Sequence, residues 1–245
     1  MTKIMSKTGD NIKSENANWK FSGEVVKEFE SHVSKSVPIY NRGHELIIKL
    51  SDFFIKNDSL IYDIGCSTGK LLIDLAKHNT NKENAIFIGL DVENDMIKYA
   101  KNKQVENKIK PSKLEFYNED AITFDFQKND FLISYFTIQF IHPKHRQSLI
   151  NKIYESLEWG GAFLFFEKVR YSDARFQDIF TTLYNDYKLD MGYSHEEIIN
   201  KTRSLKGVME PFSTNGNLDM LKRAGFKDIT TVVKDICFQG FLAIK

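Results

Sequence analysis

Apolar positions along the chain alternate between two spacings. A helical face formed by Leu46, Ile47, Leu50, Phe53 and Phe54 is followed by a short, almost wholly apolar run at residues 59–64, which predicts a buried strand. Similar apolar runs recur at residues 85–90, 114–117, 131–135 and 162–167, and amphipathic helical stretches separate most of them. Strands separated by helices of about 10 to 15 residues predict a parallel sheet covered on both faces.

The pattern changes after residue 170. A long amphipathic helix is predicted around residues 176–187, and a more polar helical stretch follows at 196–205 with no strand between them. We therefore expect a helical insertion, or lid, at about residues 171–212. The chain ends with two apolar strands at 229–236 and 238–244, whose direct connection requires antiparallel pairing.

Composition fits one folded domain. The chain has 245 residues, of which 42% are apolar, which is enough to form the core of one domain. Residues 1–18 have only scattered apolar positions, so we predict a flexible polar leader there and a single domain at 19–245. The 34 basic and 33 acidic residues nearly balance, and no long basic stripe is present. Direct binding of nucleic acid is therefore not expected. Only six of the basic residues are Arg, so an Arg near a candidate site is informative.

Targeting signals and cysteine usage favour a cytoplasmic protein. Cys66 and Cys237 form no disulfide pattern or metal-binding pair. The first 18 residues lack an apolar signal segment, and the longest apolar run, at residues 162–166, is far too short to cross a membrane. We expect neither export nor a membrane partner.

Three polar sites follow the first three strands of the predicted sheet. The first strand runs through Asp63 into a glycine turn at residues 65–69, which by itself is also typical of an ordinary tight turn. Asp91 follows the second strand, where a carboxylate accepts hydrogen bonds from both hydroxyls of a ribose. Asp120 and Ala121 follow the third strand, where the acid fits an adenine amino group, although a solvated loop acid explains Asp120 equally well. Together these features resemble the class I, Rossmann-like fold of S-adenosyl-methionine (SAM)-dependent methyltransferases.

Longer motifs narrow the resemblance. From about residue 19 to the end, the chain resembles the carboxy-S-adenosyl-methionine (carboxy-SAM) synthase family. The matching segments are 19–29, 36–40 (SVPIY), 62–67 (YDIGCS), 136–140 (FTIQF), 152–154 (KIY), 192–194 (GYS) and 221–226. SVPIY and FTIQF are far more specific than the glycine loop.

The resemblance implies a set of ligand contacts. They fall on Tyr40, Gly65, Cys66, Ser67, Asp91, Val92, Asp120, Ala121 and Arg203. In that family the Arg pairs with the extra carboxylate of carboxy-SAM, because a guanidinium presents two parallel donors to a carboxylate. The family has Asn where this chain has Tyr135. We keep Tyr135 as a ligand contact and expect the pocket beside the sulfonium to differ, which leaves the second substrate open.

The resemblance also implies a reaction. SAM and prephenate give carboxy-SAM, the carboxymethyl donor for wobble uridine modification of tRNA by another enzyme. Prephenate loses carbon dioxide and becomes phenylpyruvate, while its leaving hydroxide deprotonates the sulfonium methyl group to an ylide that captures the carbon dioxide. No protein base is then required, so no catalytic side chain is assigned. We expect a homodimer, and His142 and His145 lack the further ligands of a metal site.

Two other functions stay open. Tyr135 is compatible with a conventional methyltransferase of a small acceptor, and the glycine loop is also compatible with a non-catalytic SAM-binding subunit. Glu167, at the end of the fifth predicted strand, lies where open α/β sheets bind ligands, and it either orients a group in the cleft or pairs with a neighbour.

Overall fold

The computed structural model describes residues 5–10, 12–23, 25–110 and 113–245. Its first half contains β1 (Ser6–Lys7), β2 (Lys13–Ser14), α1 (Val25–Ser36), α2 (Tyr40–Phe54), β3 (Leu60–Ile64), α3 (Lys70–His78), β4 (Ile86–Asp91), α4 (Asn94–Glu106) and β5 (Leu114–Asn118). Its second half contains β6 (Asn129–Tyr135), a 3₁₀ turn (Ile138–Phe140), α5 (Pro143–Ser156), β7 (Leu157–Lys168), α6 (Ala174–Asp190), α7 (His195–Ser204), α8 (Thr214–Ala224), β8 (Asp228–Asp235) and β9 (Phe238–Ile244).

The main sheet has seven strands in the order β5-β4-β3-β6-β7-β9-β8. The five strands from β5 to β7 run parallel, whereas β9 pairs antiparallel with both β7 and β8. This confirms the predicted α/β fold with a mostly parallel sheet and a terminal antiparallel strand. The chain moves outward from β3 to β5 and then returns to β6 on the other side of β3. Such a reversal opens a crevice at the carboxyl ends of the strands.

Strand residues alternate between two apolar layers, because successive side chains of a strand point to opposite faces. Phe131 and Ile133 pack on the side of α2 and α3, whereas Leu132 packs on the side of α5 and α8. In β7, Leu164 and Phe165 are likewise divided between the two layers. Burial on both faces explains why these strands appear in the sequence as continuous apolar runs.

The N-terminal segment differs from the prediction of a flexible leader. β1 and β2 form a small antiparallel hairpin, and Ile12 is only 2% exposed in a cluster with Trp19 and Val25. Backbone hydrogen bonds from Ala17 and Trp19 to the carbonyls of Arg203 and Ser204 fix the segment to the end of α7. The structure thus corrects the prediction for residues 5–10 and 12–18, since they pack on the helical insertion.

α6 and α7 form the segment between β7 and α8. Its two ends lie together, because Arg170 and Ser213 form an isolated bridge and the Arg170 N–H donates to the Phe212 carbonyl at 3.0 Å. The Tyr184 hydroxyl on α6 donates to the Ser36 carbonyl at 2.8 Å. The insertion is therefore anchored over the strand ends on the side of α1.

Candidate functional site

A cavity of about 830 Å³ lies at the carboxyl ends of the parallel strands. The loops after β3, β4, β5, β6 and β7 form one wall, and residues from α1, α2 and the α6–α7 insertion form the other. The predicted ligand contacts that line it are Tyr40, Gly65, Cys66, Ser67, Asp91, Val92, Asp120, Ala121 and Tyr135. The topology thus brings together residues that are far apart in the sequence.

The glycine loop after β3 holds its backbone against the cavity. Gly65 has φ +70°, and a Cβ at this position would lie 2.3 Å from the Thr137 side chain in the loop after β6. Ser67 also has a positive φ, of 52°, which is unusual for a residue other than glycine. Such backbone strain is common in loops that bind ligands, because the surrounding structure holds them in one conformation.

Asp91 links this loop to the end of β4. One carboxylate oxygen accepts from the Ser67 N–H and the other from the Glu93 N–H, each at 2.9 Å. Burial raises the pKa of Asp91, and the two backbone donors lower it in part. An ionised carboxylate accepts about four hydrogen bonds, so each oxygen can still accept one from a ligand hydroxyl. Val92 beside it is 62% exposed at the edge of the cavity.

Asp63 is a buried acid without a full set of partners. It is 2% exposed, and its Oδ1 has no hydrogen-bond partner among the described residues. Burial raises the pKa of this carboxyl well above its ordinary value, and the nearby Asp91 charge adds to the shift. Buried polar atoms without partners are unfavourable, so a cationic donor in the cavity would stabilise this site. The ammonium group of an amino-acid ligand has that chemistry.

The turn after β5 is held by its own acid. Asp120 Oδ1 accepts from the Ile122 N–H at 2.9 Å, and the Asp120 carbonyl accepts from the Phe124 N–H at 2.9 Å. Asp120 is exposed at the cavity wall, whereas Ala121 is 8% exposed. The free Oδ2 can accept a hydrogen bond from an amino group at this wall.

Glu30 on α1 lines the cavity but was not predicted from the sequence. Its carboxylate accepts from the Tyr40 hydroxyl at 3.1 Å and from the Thr68 hydroxyl. Burial raises the pKa of Glu30, and the Thr68 and Tyr40 hydrogen bonds lower it in part. In the sequence Glu30 is one acid in a polar helix, and nothing distinguishes it from solvated neighbours.

Tyr135 presents its ring to the cavity and its hydroxyl to α2. The hydroxyl donates to the Tyr40 carbonyl at 2.5 Å, and the Ile39 carbonyl lies at 3.3 Å. Gly43 leaves the space for it, since a Cβ there would lie 2.1 Å from the hydroxyl. The ring packs against Tyr40, His44 and Phe136. The phenol that replaces the expected Asn therefore forms an apolar wall rather than a polar ligand contact.

Arg203 lies apart from the other predicted contacts. Its side chain is exposed on α7, and it is not among the described residues that line the cavity, although Lys201, Thr202 and Leu205 are. Helical spacing explains the difference, because Arg203 lies on a different face of α7 from Lys201 and Leu205.

Glu167 is also outside the cavity lining. It is 1% exposed, its carboxylate accepts from the backbones of Gln139 and Ile138, and the Arg146 charge lies nearby. Burial raises the pKa of Glu167 well above its ordinary value. Arg146 donates to the carbonyls of Gln139, Ile141 and Glu210, so its guanidinium links the segment after β6 to the segment before α8.

Three lysines that were not predicted from the sequence also face the cavity. Lys168, Lys188 and Lys201 all line the cavity beneath the insertion. They lie on β7, α6 and α7, and in a chain with 28 lysines no sequence signal sets them apart.

The described part of the chain has no group of three or more His, Cys, Asp or Glu residues that could hold a metal ion. His142 instead caps α5, where its Nδ1 accepts from the Lys144 N–H at 3.2 Å. Within the same residues, no helix is both long and apolar enough to cross a membrane.

Solved structures share the fold at low sequence identity. Magnesium protoporphyrin IX methyltransferase from Synechocystis PCC 6803, with bound SAH, aligns with a TM-score of 0.64 at 12% identity, over 92% of this chain and 96% of that chain. Human N-acetylserotonin methyltransferase in complex with SAM aligns with a TM-score of 0.58 at 17% identity, over 90% of this chain and 54% of that chain. These similarities show the fold.

Sequence relatives cover almost the whole chain. The family described as "Methyltransferase domain" matches residues 61–161. Carboxy-S-adenosyl-L-methionine synthase from Staphylococcus epidermidis is 37% identical over 93% of this chain and 97% of its own length. The enzyme of that name from Nautilia profundicola is 39% identical over 93% of this chain and 94% of its own length. Identities of this size over nearly the whole length of both chains show that this protein is an enzyme of the carboxy-S-adenosyl-L-methionine synthase family.

Proposed function

We propose that this enzyme binds SAM and converts it, with prephenate as second substrate, to carboxy-SAM. The product is then the carboxymethyl donor with which another enzyme modifies the wobble uridine of tRNA. The observation that carries the proposal is the cavity at the strand ends, which contains nine of the predicted ligand contacts in a chain related over 93% of its length to carboxy-SAM synthases.

The cavity residues fit SAM as a ligand. Asp91 offers an acceptor from each carboxylate oxygen to the two ribose hydroxyls, and Asp120 offers one to the adenine amino group. The unpartnered Oδ1 of Asp63 suits the ammonium group of the methionine moiety. When bound, SAM supplies the sulfonium methyl carbon that becomes the carboxymethyl group.

The reaction needs no protein base. Loss of the carboxylate from the prephenate ring expels the ring hydroxyl as hydroxide, which gives phenylpyruvate and carbon dioxide. The hydroxide takes one proton from the sulfonium methyl group and becomes water, and carbon dioxide then bonds to that carbon. The chain positions the two substrates and excludes bulk water, which would otherwise protonate the carbon.

Aromatic side chains supply that exclusion. Phe21 packs edge-on against Phe140 with ring centroids 4.9 Å apart, and both line the cavity together with Trp19. Tyr135 and Phe136 also line the cavity, and their ring centroids lie 4.6 Å apart. Apolar walls of this kind keep bulk water away from reacting atoms.

Product analysis tests the proposal. Purified enzyme is incubated with SAM and prephenate, and the small molecules are identified by mass spectrometry. We expect carboxy-SAM and phenylpyruvate in equal amounts. S-adenosyl-homocysteine with a methylated acceptor would instead establish a conventional methyltransferase. Absence of any turnover, with SAM still bound, would establish a non-catalytic binding subunit.

The enzyme works in the cytoplasm, where the buried free thiols of Cys66 and Cys237 remain reduced, and it contacts neither tRNA nor a membrane. It acts as a homodimer. In support of a dimer, α6 presents Phe176, Ile179 and Leu183 to solvent with exposures of 53%, 52% and 46%.

A further inference from the structure

The cavity has a second polar region with the opposite charge. Asp63 lies near the carboxyl end of β3 and Asp91 ends β4, whereas Lys168 ends β7, which is two strands from β3 and three from β4 in the sheet. With strands about 4.8 Å apart, the β7 end lies roughly 10 to 14 Å from these acids. α6 and α7 add Lys188 and Lys201 to the wall of the same cavity.

Lys188 lies between the other two lysines electrostatically, because the Lys168 charge acts on Lys188 and the Lys188 charge acts on Lys201. The Tyr184 ring has Lys168 Nζ and Lys188 Nζ each 4.3 Å from its centroid. Burial lowers the pKa of Lys188 to about 8, and the Lys168 charge adds to the shift. Burial, followed by the Lys188 charge, lowers the pKa of Lys201 well below its ordinary value.

Within the described ranges of the chain, these ammonium groups have no ion-pair partner. Among the described residues, no ion pair and no hydrogen bond from Nζ involves Lys168, Lys188 or Lys201, although Lys188 is only 7% exposed. The groups near Lys201 are Asp10, His32 and the Trp19 ring, over which its Nζ lies. Cys237, whose pKa is raised by burial, lies near Lys168 and Lys188, and the further cations Arg170 and Lys206 lie near Lys168. Clustered buried cations are unfavourable unless an anion compensates them.

The surroundings suit an organic anion rather than an inorganic ion. Tyr184 packs against Phe238 with ring centroids 5.3 Å apart, and Lys168 Nζ lies 5.8 Å from the Phe238 ring. Carboxylate acceptors would meet the ammonium groups while a carbon skeleton contacts these rings. The acids of the β3 and β4 ends repel an anion and attract a cationic ligand, so the charges of the cavity separate two ligands of opposite sign.

We propose that Lys168, Lys188 and Lys201 form a subsite that binds one carboxylate of an organic dianion, the second substrate. This inference rests on the proposed function and deepens it. The carboxylate that the lysines bind is the one that remains in phenylpyruvate after the reaction. A carboxylate that leaves as neutral carbon dioxide loses its charge in the transition state, and an ion pair to it would stabilise the substrate and slow the reaction.

Lys188→Met and Lys201→Met test the subsite, because Met keeps much of the apolar stem and removes the charge. We expect each to raise the KM for prephenate and the Kd of the product phenylpyruvate by about 10-fold or more, since a hydrogen bond to a charged group contributes about 1.5 to 3 kcal/mol. The Kd of SAM should stay within about twofold, because its proposed contacts lie at the other strand ends. Lys188→Arg should recover part of the lost affinity, and Lys27→Met on the exposed side of α1 is the control.

Two readouts separate this proposal from the proposed function. Calorimetric binding of phenylpyruvate needs no turnover, whereas product formation from prephenate does. Turnover by wild type with unchanged KM and Kd in both Met variants would overturn the subsite and leave the function standing. Lysine-dependent binding of phenylpyruvate without turnover of prephenate would support the subsite and overturn the function. An equal loss of SAM affinity in the Met variants would also overturn the subsite.

Discussion

At the residue scale, Asp91 both shapes the glycine loop and faces the cavity. Replacement by Ala removes the acceptors for Ser67 and Glu93 together with those for a ribose. We expect Asp91→Ala to weaken SAM binding by about 1.5 to 3 kcal/mol, the range for hydrogen bonds to a charged group. Titration calorimetry measures the loss, and Asp91→Asn, which keeps one acceptor oxygen, should lose less. Equal affinity of wild type and Asp91→Ala would contradict the assignment.

The absence of a side chain at Gly43 leaves the space that the Tyr135 hydroxyl occupies. A side chain at Gly43 would collide with the Tyr135 hydroxyl, so we expect Gly43→Ala to lower the free energy of unfolding by about 1 to 3 kcal/mol. Tyr135→Phe should relieve this clash in the double variant and, alone, leave SAM affinity nearly unchanged, because the hydroxyl donates to the backbone of α2. Chemical denaturation and calorimetry measure the two effects.

Gly216→Ala on α8 is the control for this pair. Gly216 is also helical, but a Cβ there would lie 3.4 Å from its nearest neighbours, which is an ordinary van der Waals contact. A stability loss in Gly216→Ala as large as in Gly43→Ala would show that the cost is general to helical glycines. A large loss of SAM affinity in Tyr135→Phe would show that the hydroxyl contacts the ligand after all.

Residues could be predicted where the chemistry follows a strand directly. Asp91 and Asp120 lie at the cavity because the carboxyl ends of parallel strands share one edge. Lys188 and Arg203 illustrate the limit, since both are basic residues on helices and only the packing of each helix decides which side chain faces the cavity. Lys188 is buried in its wall and Arg203 is exposed.

At the element scale, the strands of the main sheet were predictable and the N-terminal hairpin was not. Burial on both faces makes the parallel strands long apolar runs, which the sequence shows directly. β1 and β2 have two residues each in a polar segment, and a hairpin of that size is not stable alone. It forms because Ile12 packs with Trp19 and Val25, contacts that no local pattern reveals.

Two buried histidines should make the docking of α1 and α2 sensitive to acid. His32 stacks on Trp19, His44 packs against Tyr40, and burial lowers the pKa of each from 6.5 to about 4. The unfolded chain therefore binds protons at a higher pH than the folded chain. Stability is full above pH 6.5 and declines as the pH falls towards 4, by up to about 3 kcal/mol for each group.

Urea denaturation at a series of pH values measures this decline. His44→Phe keeps an aromatic ring against Tyr40 and removes the titrating group, so its stability should fall less steeply between pH 6.5 and 4. His78→Asn is the control, because His78 is exposed and pairs with Asp52. A slope that His44→Phe leaves unchanged would show that His44 is not protonated on unfolding in this range.

At the scale of the whole molecule, the net charge of +1 conceals a polarised interior. Acids at the carboxyl ends of β3 and β4 and after β5 share one cavity with lysines from β7, α6 and α7. A near-neutral protein can therefore bind a cationic and an anionic ligand side by side. The sequence predicted the acidic part through its motifs. The basic part depends on how the insertion folds back over the sheet, which follows from tertiary packing rather than from any local pattern.

The exposed apolar residues of α6 lead to a prediction about assembly. Phe176, Ile179 and Leu183 recur at the spacing of one helix face, and soluble monomers rarely expose large contiguous apolar patches. A second copy of the chain packed on this face would bury them. We expect light scattering after size-exclusion chromatography to give twice the chain mass of 28.5 kDa for the wild type.

Paired substitutions locate the interface. Ile179→Glu with Leu183→Glu places two charges on that face, and burying unpaired charges is strongly unfavourable, so we expect a monomer with unchanged helical content. Trp159→Ser is the control, because Trp159 has the highest exposure, 88%, of the large apolar residues that the structure describes, and it lies on β7 rather than on α6. A dimer that survives the double substitution would place the interface elsewhere, and a monomeric wild type would exclude the dimer.

Because α6 also carries Lys188 and Tyr184, a dimer formed on this face would stabilise the helix that covers the basic part of the cavity. The monomeric variant should therefore bind phenylpyruvate more weakly while retaining its affinity for SAM.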